Sequence, residues 1–243
     1  MSYVLIIGAK SDIAKAAARE YAKHGYDLYL AARNSVELED FANDISVRTQ
    51  RIARITELDI LDFESHQSFY DQFEEKPLGV ISAIGYLGNQ KNAQTDFSEA
   101  KRIIDTNYTG IMALLNIIAN DFELRRSGFI VGISSVAGDR GRKSNYIYGS
   151  AKAALTAYLS GLRNRLYDAQ VHVLTVKPGF VVTKMTEGMK LPEKLTAQPE
   201  EVAKDIYKAQ QKCKNEIYTK RIWKYIMMII KMIPEWKFKG MSI

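Results

Sequence analysis

The sequence predicts one α/β domain, a doubly wound parallel sheet of about seven strands with helices on both faces. Short runs rich in Val, Ile, Leu and Tyr alternate along the chain with longer segments of helical period. Such βαβα alternation is the pattern of a parallel sheet covered by helices. The runs are apolar throughout rather than at every second residue, as strands buried on both faces must be. The chain has 243 residues, 47% of them hydrophobic, which supplies a sizeable core and excludes global disorder.

In chain order, the expected strands are residues 3–7, 27–31, 51–58, 79–83, 128–134, 171–177 and a short 216–218. Helical patterns lie between them, near 12–24, 35–48, 63–75, 98–126, 146–168 and 199–211. Right-handed crossovers wind these units to both sides of the sheet. Ligands then bind beyond the carboxyl ends of the strands, where the strand order reverses. No repeat, low-complexity segment or linker divides the sequence, so residues 1–243 read as one domain.

Composition excludes several classes. The lone cysteine, Cys213, cannot form a disulfide framework within the chain and fits a reducing, cytoplasmic compartment. The apolar run at the start has five residues and no basic region before it, so it reads as a strand and not a signal peptide. No uncharged stretch reaches the ~20 residues of a spanning helix. The formal charge is +6, and residues 212–240, with eight Lys/Arg and two Glu, account for all of it. The main body is therefore balanced, which argues against a nucleic-acid-binding face. No metal site is expected.

The first strand runs into Gly8-Ala9-Lys10-Ser11-Asp12-Ile13-Ala14 and then a helix. A glycine at a strand end lets the backbone turn sharply and approach a diphosphate, and the helix amino terminus offers free N–H groups. The alternative is an ordinary turn in which Ser11 or Asp12 caps the helix. Asp12 would repel a diphosphate, so its side chain is expected to cap the helix and face away. The second strand ends in Ala31-Ala32-Arg33-Asn34. Folds that prefer NAD place an acid here for the ribose hydroxyls, whereas Arg33, helped by Lys10, suits the extra phosphate of NADP. A solvated loop arginine is the bland reading. After the third strand, Asp59, followed by Ile60, either accepts a bond from an adenine amino group or caps the next helix.

The pattern richest in chemistry is Ile133-Ser134-Ser135 followed by Tyr148-Gly149-Ser150-Ala151-Lys152. Tyr148 and Lys152 are four apart in a helical stretch and share a face. A free tyrosine has a pKa near ~10, and a neighbouring ammonium would lower it toward a useful acid/base. Ser135, just past a strand end, would hydrogen-bond a substrate oxygen. A chance Tyr/Lys pair is common, but its combination with a strand-end serine, a glycine after the first strand and the α/β alternation is not.

With these motifs the chain resembles the classical short-chain dehydrogenase/reductases over essentially residues 1–220. The resemblance implies a Rossmann-type fold and hydride transfer between a nicotinamide and a carbonyl or alcohol. It implies Tyr148 as the proton donor, Ser135 steadying the oxygen, and Lys152 bound to the nicotinamide ribose. Ser134 takes the neighbouring structural place, and Asn107 shapes its helix and holds a relay water. Ala83, Ile84 and Gly85 stand where the family has Asn-Ala-Gly, and the first loop lacks the family's later glycines. The stretch Pro178-Gly179-Phe180-Val181-Val182-Thr183 looks like the nicotinamide loop, with Thr183 bonding the carboxamide or diphosphate. NADP(H) is the expected cofactor and NAD(H) the alternative. A homodimer or homotetramer is implied, pairing the helices near 98–126 and 146–168.

Residues 220–233 hold ten apolar and four basic residues. They fit an interfacial helix on an anionic membrane surface, the inner face of the membrane for a cytoplasmic protein, or a lid docked beside the cleft. Residues 220–243 form this tail, and 184–198 the expected substrate loop. The tail and first loop are similar to a branch containing the reductase subunit of decaprenylphosphoryl-ribose epimerase, which implies a keto-sugar substrate, lipid-linked, in cell-surface polysaccharide synthesis. Two readings compete with it: a reductase of a small soluble ketone or acyl substrate, and a non-catalytic cofactor-binding scaffold.

Overall fold

The computed structural model describes residues 2–241. Its main sheet has seven strands, all parallel, in the order β3-β2-β1-β4-β5-β6-β9. Here β1 is Tyr3–Ile7, β2 Asp27–Ala32, β3 Ala53–Glu57, β4 Gly79–Ser82, β5 Phe129–Ile133, β6 His172–Pro178 and β9 Glu216–Thr219. Two further strands of two residues each, β7 (Phe180–Val181) and β8 (Thr196–Ala197), pair with one another. The expected seven-stranded α/β architecture is the observed one.

Alternate strand residues feed two cores. Val4 and Ile6 of β1, with Leu28 and Leu30 of β2, pack under α1 (Asp12–Lys23), α2 (Glu39–Thr49) and α7 (Pro199–Gln211). Tyr3, Leu5 and Ile7 face the other way, toward α3 (His66–Asp71), α5 (Gly110–Arg125) and α6 (Tyr146–Arg165). Both faces of each central strand are thus covered, which is why β1, β2, β4 and β5 are apolar at every position but one or two. On α1 the buried side chains are five alanines and Tyr21. Alanine leaves the helix backbone close to its neighbours and has the highest helix propensity.

The helix expected over 98–126 is interrupted. It comprises α4 (Phe97–Ile104), a π-helical turn Asp105–Thr109, and α5. Asn107 explains the interruption: its amide Nδ2 donates to the carbonyl of Ile103 at 2.8 Å, four residues back, where a backbone N–H would otherwise bond. The segments expected as helices over 35–48 and 63–75 each open with a 3-10 turn, and the second is helical only to Asp71. The third strand, expected over 51–58, is the edge strand Ala53–Glu57.

Strand order reverses between β1 and β4. Both strands end at the same edge, so the loops after them open one crevice at this switch point. Beyond β9 the chain forms α8 (Ile222–Met232) and α9 (Glu235–Phe238). No helix among the described residues is long and apolar enough to cross a membrane.

Candidate active site

Gly8 has a φ of +79°, and its N–H and that of Ala9 both reach Ala31 O, at 2.9 and 3.0 Å. A Cβ here would come within 2.9 Å of Ile84 Cγ1 and 3.1 Å of the Ala83 backbone. Conformation and space both demand glycine. Ser11 caps α1, its Oγ accepting from Ala14 N at 3.2 Å. Asp12 does not cap the helix as expected. Its Oδ2 accepts from the backbone N of Lys184 at 2.9 Å, 172 residues away, and ties the first loop to the segment 184–198 expected to bind substrate. The carboxylate is satisfied by that backbone N–H, and the serine before it holds the cap instead.

Arg33 is exposed at the turn after β2. Glu57 fixes that turn by accepting from Asn34 N at 2.7 Å and Ser35 N at 2.8 Å; these backbone bonds hold its carboxyl below the usual range. Lys10 Nζ lies 3.1 Å from Arg33 O and 2.6 Å from Glu37. Asp59 accepts from Leu61 N at 3.0 Å, so it closes its own turn and does not cap the next helix. Lys10, Arg33, Asn34 and Asp59, with Gly8, Ile60 and Ile84, wall a cavity of about 530 Å³.

A second cavity of about 270 Å³ lies against the first, sharing Lys10, Ser11, Ala83, Ile84 and Gly85. Ser135, Tyr148 and Lys152 open on it, as do Ile13, Pro178, Gly179, Val181 and Thr183. The sheet positions Ser135 at the end of β5, and α6 brings Tyr148 and Lys152 to the same wall. Ser134, on the same wall, stitches β5 to α6 through Lys152 O (2.9 Å) and Thr156 Oγ1 (2.7 Å). Lys152 is 2% exposed, and its Nζ bonds Ile84 O at 3.2 Å and Ile133 O at 3.1 Å. Asn107 is fully buried; its Oδ1 accepts from Tyr86 N at 3.1 Å and its Nδ2 donates to Tyr86 O at 2.6 Å. These bonds fix the loop after β4. A Cβ on Gly85 would sit 3.8 Å from Asn107 Oδ1 and 3.9 Å from Lys152 Nζ, so the three meet at one point.

The electrostatics correct one expectation. Lys152 does not lower the Tyr148 pKa. Burial pushes the phenol up to about 12, and a hydrogen bond with Ser135 opposes this only in part. Burial also pushes Lys152 down to about 7. Both groups are buried where either charge lacks water, and burial is the largest influence on each.

Thr183 begins a 3-10 turn, Lys184–Thr186, in a reciprocal cap with Thr186. The loop after β6 is held by a residue the sequence did not single out for this role. Trp223 of α8 stacks so closely on Gly179 that a Cβ there would fall inside the indole ring. Its Nε1 donates to Leu195 O at 2.9 Å, and Phe180 meets its edge. Trp223 therefore joins the loop expected to bind nicotinamide to the loop expected to bind substrate. Met185, whose Cε approaches Gly85, and Tyr86 and Arg102 of the larger cavity were also unforeseen. They lie outside any local motif, so no sequence signal marked them.

The two adjoining cavities, with a bare glycine edge between them, fit a nicotinamide dinucleotide laid across the switch point. The short-chain dehydrogenase family model matches residues 2–194. This chain belongs to the short-chain dehydrogenase family. It is 34% identical over 241 residues to an uncharacterised oxidoreductase of Mycobacterium tuberculosis, covering 98% of this chain and 96% of that protein. It is 29% identical over 188 residues to an NADP-dependent 3-hydroxy acid dehydrogenase of Schizosaccharomyces pombe, covering 75% and 73%. In fold it is similar to a short-chain dehydrogenase from Sphingobium yanoikuyae in complex with NADPH, with a TM-score of 0.82, 21% identity and 97% of each chain covered. This short-chain dehydrogenase is thus an oxidoreductase of carbonyl and CH–OH groups that uses a nicotinamide cofactor.

Proposed function

We propose that the protein is an NADPH-dependent reductase of a keto-sugar carried on a lipid phosphate. The observation that carries the substrate class is a polar cluster at the start of α6. Gln90 Nε2, Asn145 Oδ1 and Arg142 Nε are buried and have no hydrogen-bond partner among the described residues. They belong to one neighbourhood: Gln90 Oε1 accepts from Ile147 N at 3.0 Å, one residue before Tyr148, and Asn145 N donates to Arg142 O at 3.2 Å. Orphaned buried polar atoms are costly unless a ligand satisfies them. A hydroxyl-rich substrate does so; an acyl chain does not. Arg142 bonds Met227 Sδ at 3.2 Å, and the carboxylate of Asp139 is taken by Lys177 and Tyr218. Its guanidinium suits a phosphate.

In the reductive direction Tyr148 is the proton donor. With its pKa pushed up to about 12, the Tyr148 phenol carries its proton at neutral pH and can give it to a carbonyl oxygen. The Ser135 hydroxyl, hydrogen-bonded with Tyr148, steadies the same oxygen as charge develops. Lys152 and Asn107 do not bond directly, so reprotonation of Tyr148 through them runs over a bridging water. The bound nicotinamide supplies the hydride. Arg33 and Lys10, at the rim of the larger cavity, favour the 2′-phosphate of NADPH and would grip it with charge-assisted bonds.

NADPH consumption against three matched carbonyls tests this reading: a soluble keto-sugar, the same keto-sugar on a polyprenyl phosphate, and a medium-chain acyl ketone. Preference for the lipid-linked sugar supports it. Preference for the acyl ketone would sink it and leave the Gln90, Asn145 and Arg142 cluster structural.

A further inference from the structure

Helix α8 is apolar on two opposite sides. At about 100° per residue, Trp223, Ile226, Met227 and Ile230 fall on one arc of roughly 100° and pack inward. Ile222, Tyr225, Met228, Ile229 and Met232 fall on a separate outward arc of about 120°. Their exposure runs from 47% to 75%, and Trp236 of α9 is also 75% exposed. A helix that is apolar all round is one that is covered all round. In this chain only the inner half is covered by the protein itself.

The surroundings identify the cover. Lys224 and Lys231 flank the outward arc, and Arg221 before the helix and Lys237 and Lys239 after it are exposed too. The one acid in α9, Glu235, is engaged by Arg140 at 2.9 Å. Lys208, Lys212 and Lys214 extend the positive rim along a groove beside α8, against Asp205 and Glu216. A second copy docked about a two-fold axis would set this basic rim against itself. An anionic bilayer neutralises the rim while its acyl boundary takes the apolar arc. We propose that the outer face of α8 and α9 docks on an anionic lipid surface. Trp223 anchors α8 to Gly179 and Leu195, so docking there brings the rim of the cleft to the bilayer. The inference does not depend on which carbonyl is reduced.

The test uses the full chain and vesicles that contain no substrate. Deleting the tail would strip Trp223 from the cleft, so substitutions on the outer face are the cleaner probe. Flotation is expected with phosphatidylcholine vesicles holding about one third phosphatidylglycerol, and not with phosphatidylcholine alone. Of the two tryptophans, only Trp236 is exposed, so its emission should shift to the blue and be quenched by brominated lipid. The double variant Ile229→Glu with Met232→Glu should lose about ten-fold or more of the bound fraction. Its thermal stability and its turnover of a soluble carbonyl should match the wild type. Lys224→Gln should weaken binding about five-fold, the equivalent of about 1 kcal/mol per basic side chain. Equal flotation on neutral vesicles would overturn the proposal. So would retention of binding by the double variant, or a dimer that Ile229→Glu dissociates with no vesicle binding in the wild type.

Discussion

Replacing Lys152 by methionine should change how stability depends on pH. In the unfolded chain the lysine titrates near its ordinary ~10.5, while burial brings it to about 7 in the folded protein. Between these values the unfolded chain binds a proton that the folded one does not. The unfolding free energy contributed by this group therefore rises with pH across that window, at about 1.4 kcal/mol per pH unit. Below about pH 7 both states are protonated, and the folded state bears the full penalty of a buried ammonium, roughly 5 kcal/mol. Methionine fills similar volume and does not titrate. It leaves Ile84 O and Ile133 O without their donor, an offset that does not vary with pH. The difference in stability, wild type minus variant, should rise by roughly 2 kcal/mol from about pH 7 to about pH 9. Urea unfolding followed by circular dichroism on both proteins measures it, and subtraction removes the other titrating groups. A difference that stays flat across this window would show that Lys152 remains charged in the folded protein, and the account of the site's electrostatics would fail.

The other expectations are simpler to check. Tyr148→Phe should cut turnover by about 10²–10⁴-fold, the usual worth of a positioned acid, while fluorescence titration shows cofactor affinity nearly intact. Arg33→Ala should raise KM for NADPH by about ten- to a hundred-fold and leave NADH little changed, as loss of a charge-assisted bond of about 1.5–3 kcal/mol requires; equal losses for both would remove Arg33 from phosphate recognition. Gly179→Ala must displace Trp223, an overpacking cost of about 1–3 kcal/mol, visible as a lower Tm and a weaker KM for substrate together.

The fold was legible because strands buried on both faces leave unbroken apolar runs, as at Tyr3–Ile7 and Phe129–Ile133. Legibility fell where burial fell. The edge strand Ala53–Glu57 is only partly buried, and its ends could not be read from hydropathy. The pairs Phe180–Val181 and Thr196–Ala197 are too short to show a period at all. The break at Asn107 was hidden because a π turn leaves apolar spacing nearly unchanged; it comes from one side chain competing for one carbonyl. That Ser135, Tyr148 and Lys152 gather at one cavity was readable, since Tyr148 and Lys152 share one helix face and Ser135 follows a strand end. Their pKa values were not, since these depend on depth and not on spacing. Asp12 bonding Lys184, and Trp223 seated on Gly179, join residues far apart in sequence. No local pattern encodes either.

The seating of Trp223 on Gly179 has a consequence for how the enzyme comes into being on the ribosome. All the strands of the main sheet but β9, and all the groups that open on the smaller cavity, lie within the first 186 residues. The indole that braces the loop leaves the exit tunnel only after them. A nascent chain can thus form its sheet and gather Ser135, Tyr148 and Lys152 while the wall beside Gly179 is still missing. Competence to turn over substrate should arrive late and abruptly during synthesis, when α8 emerges and closes on the loop.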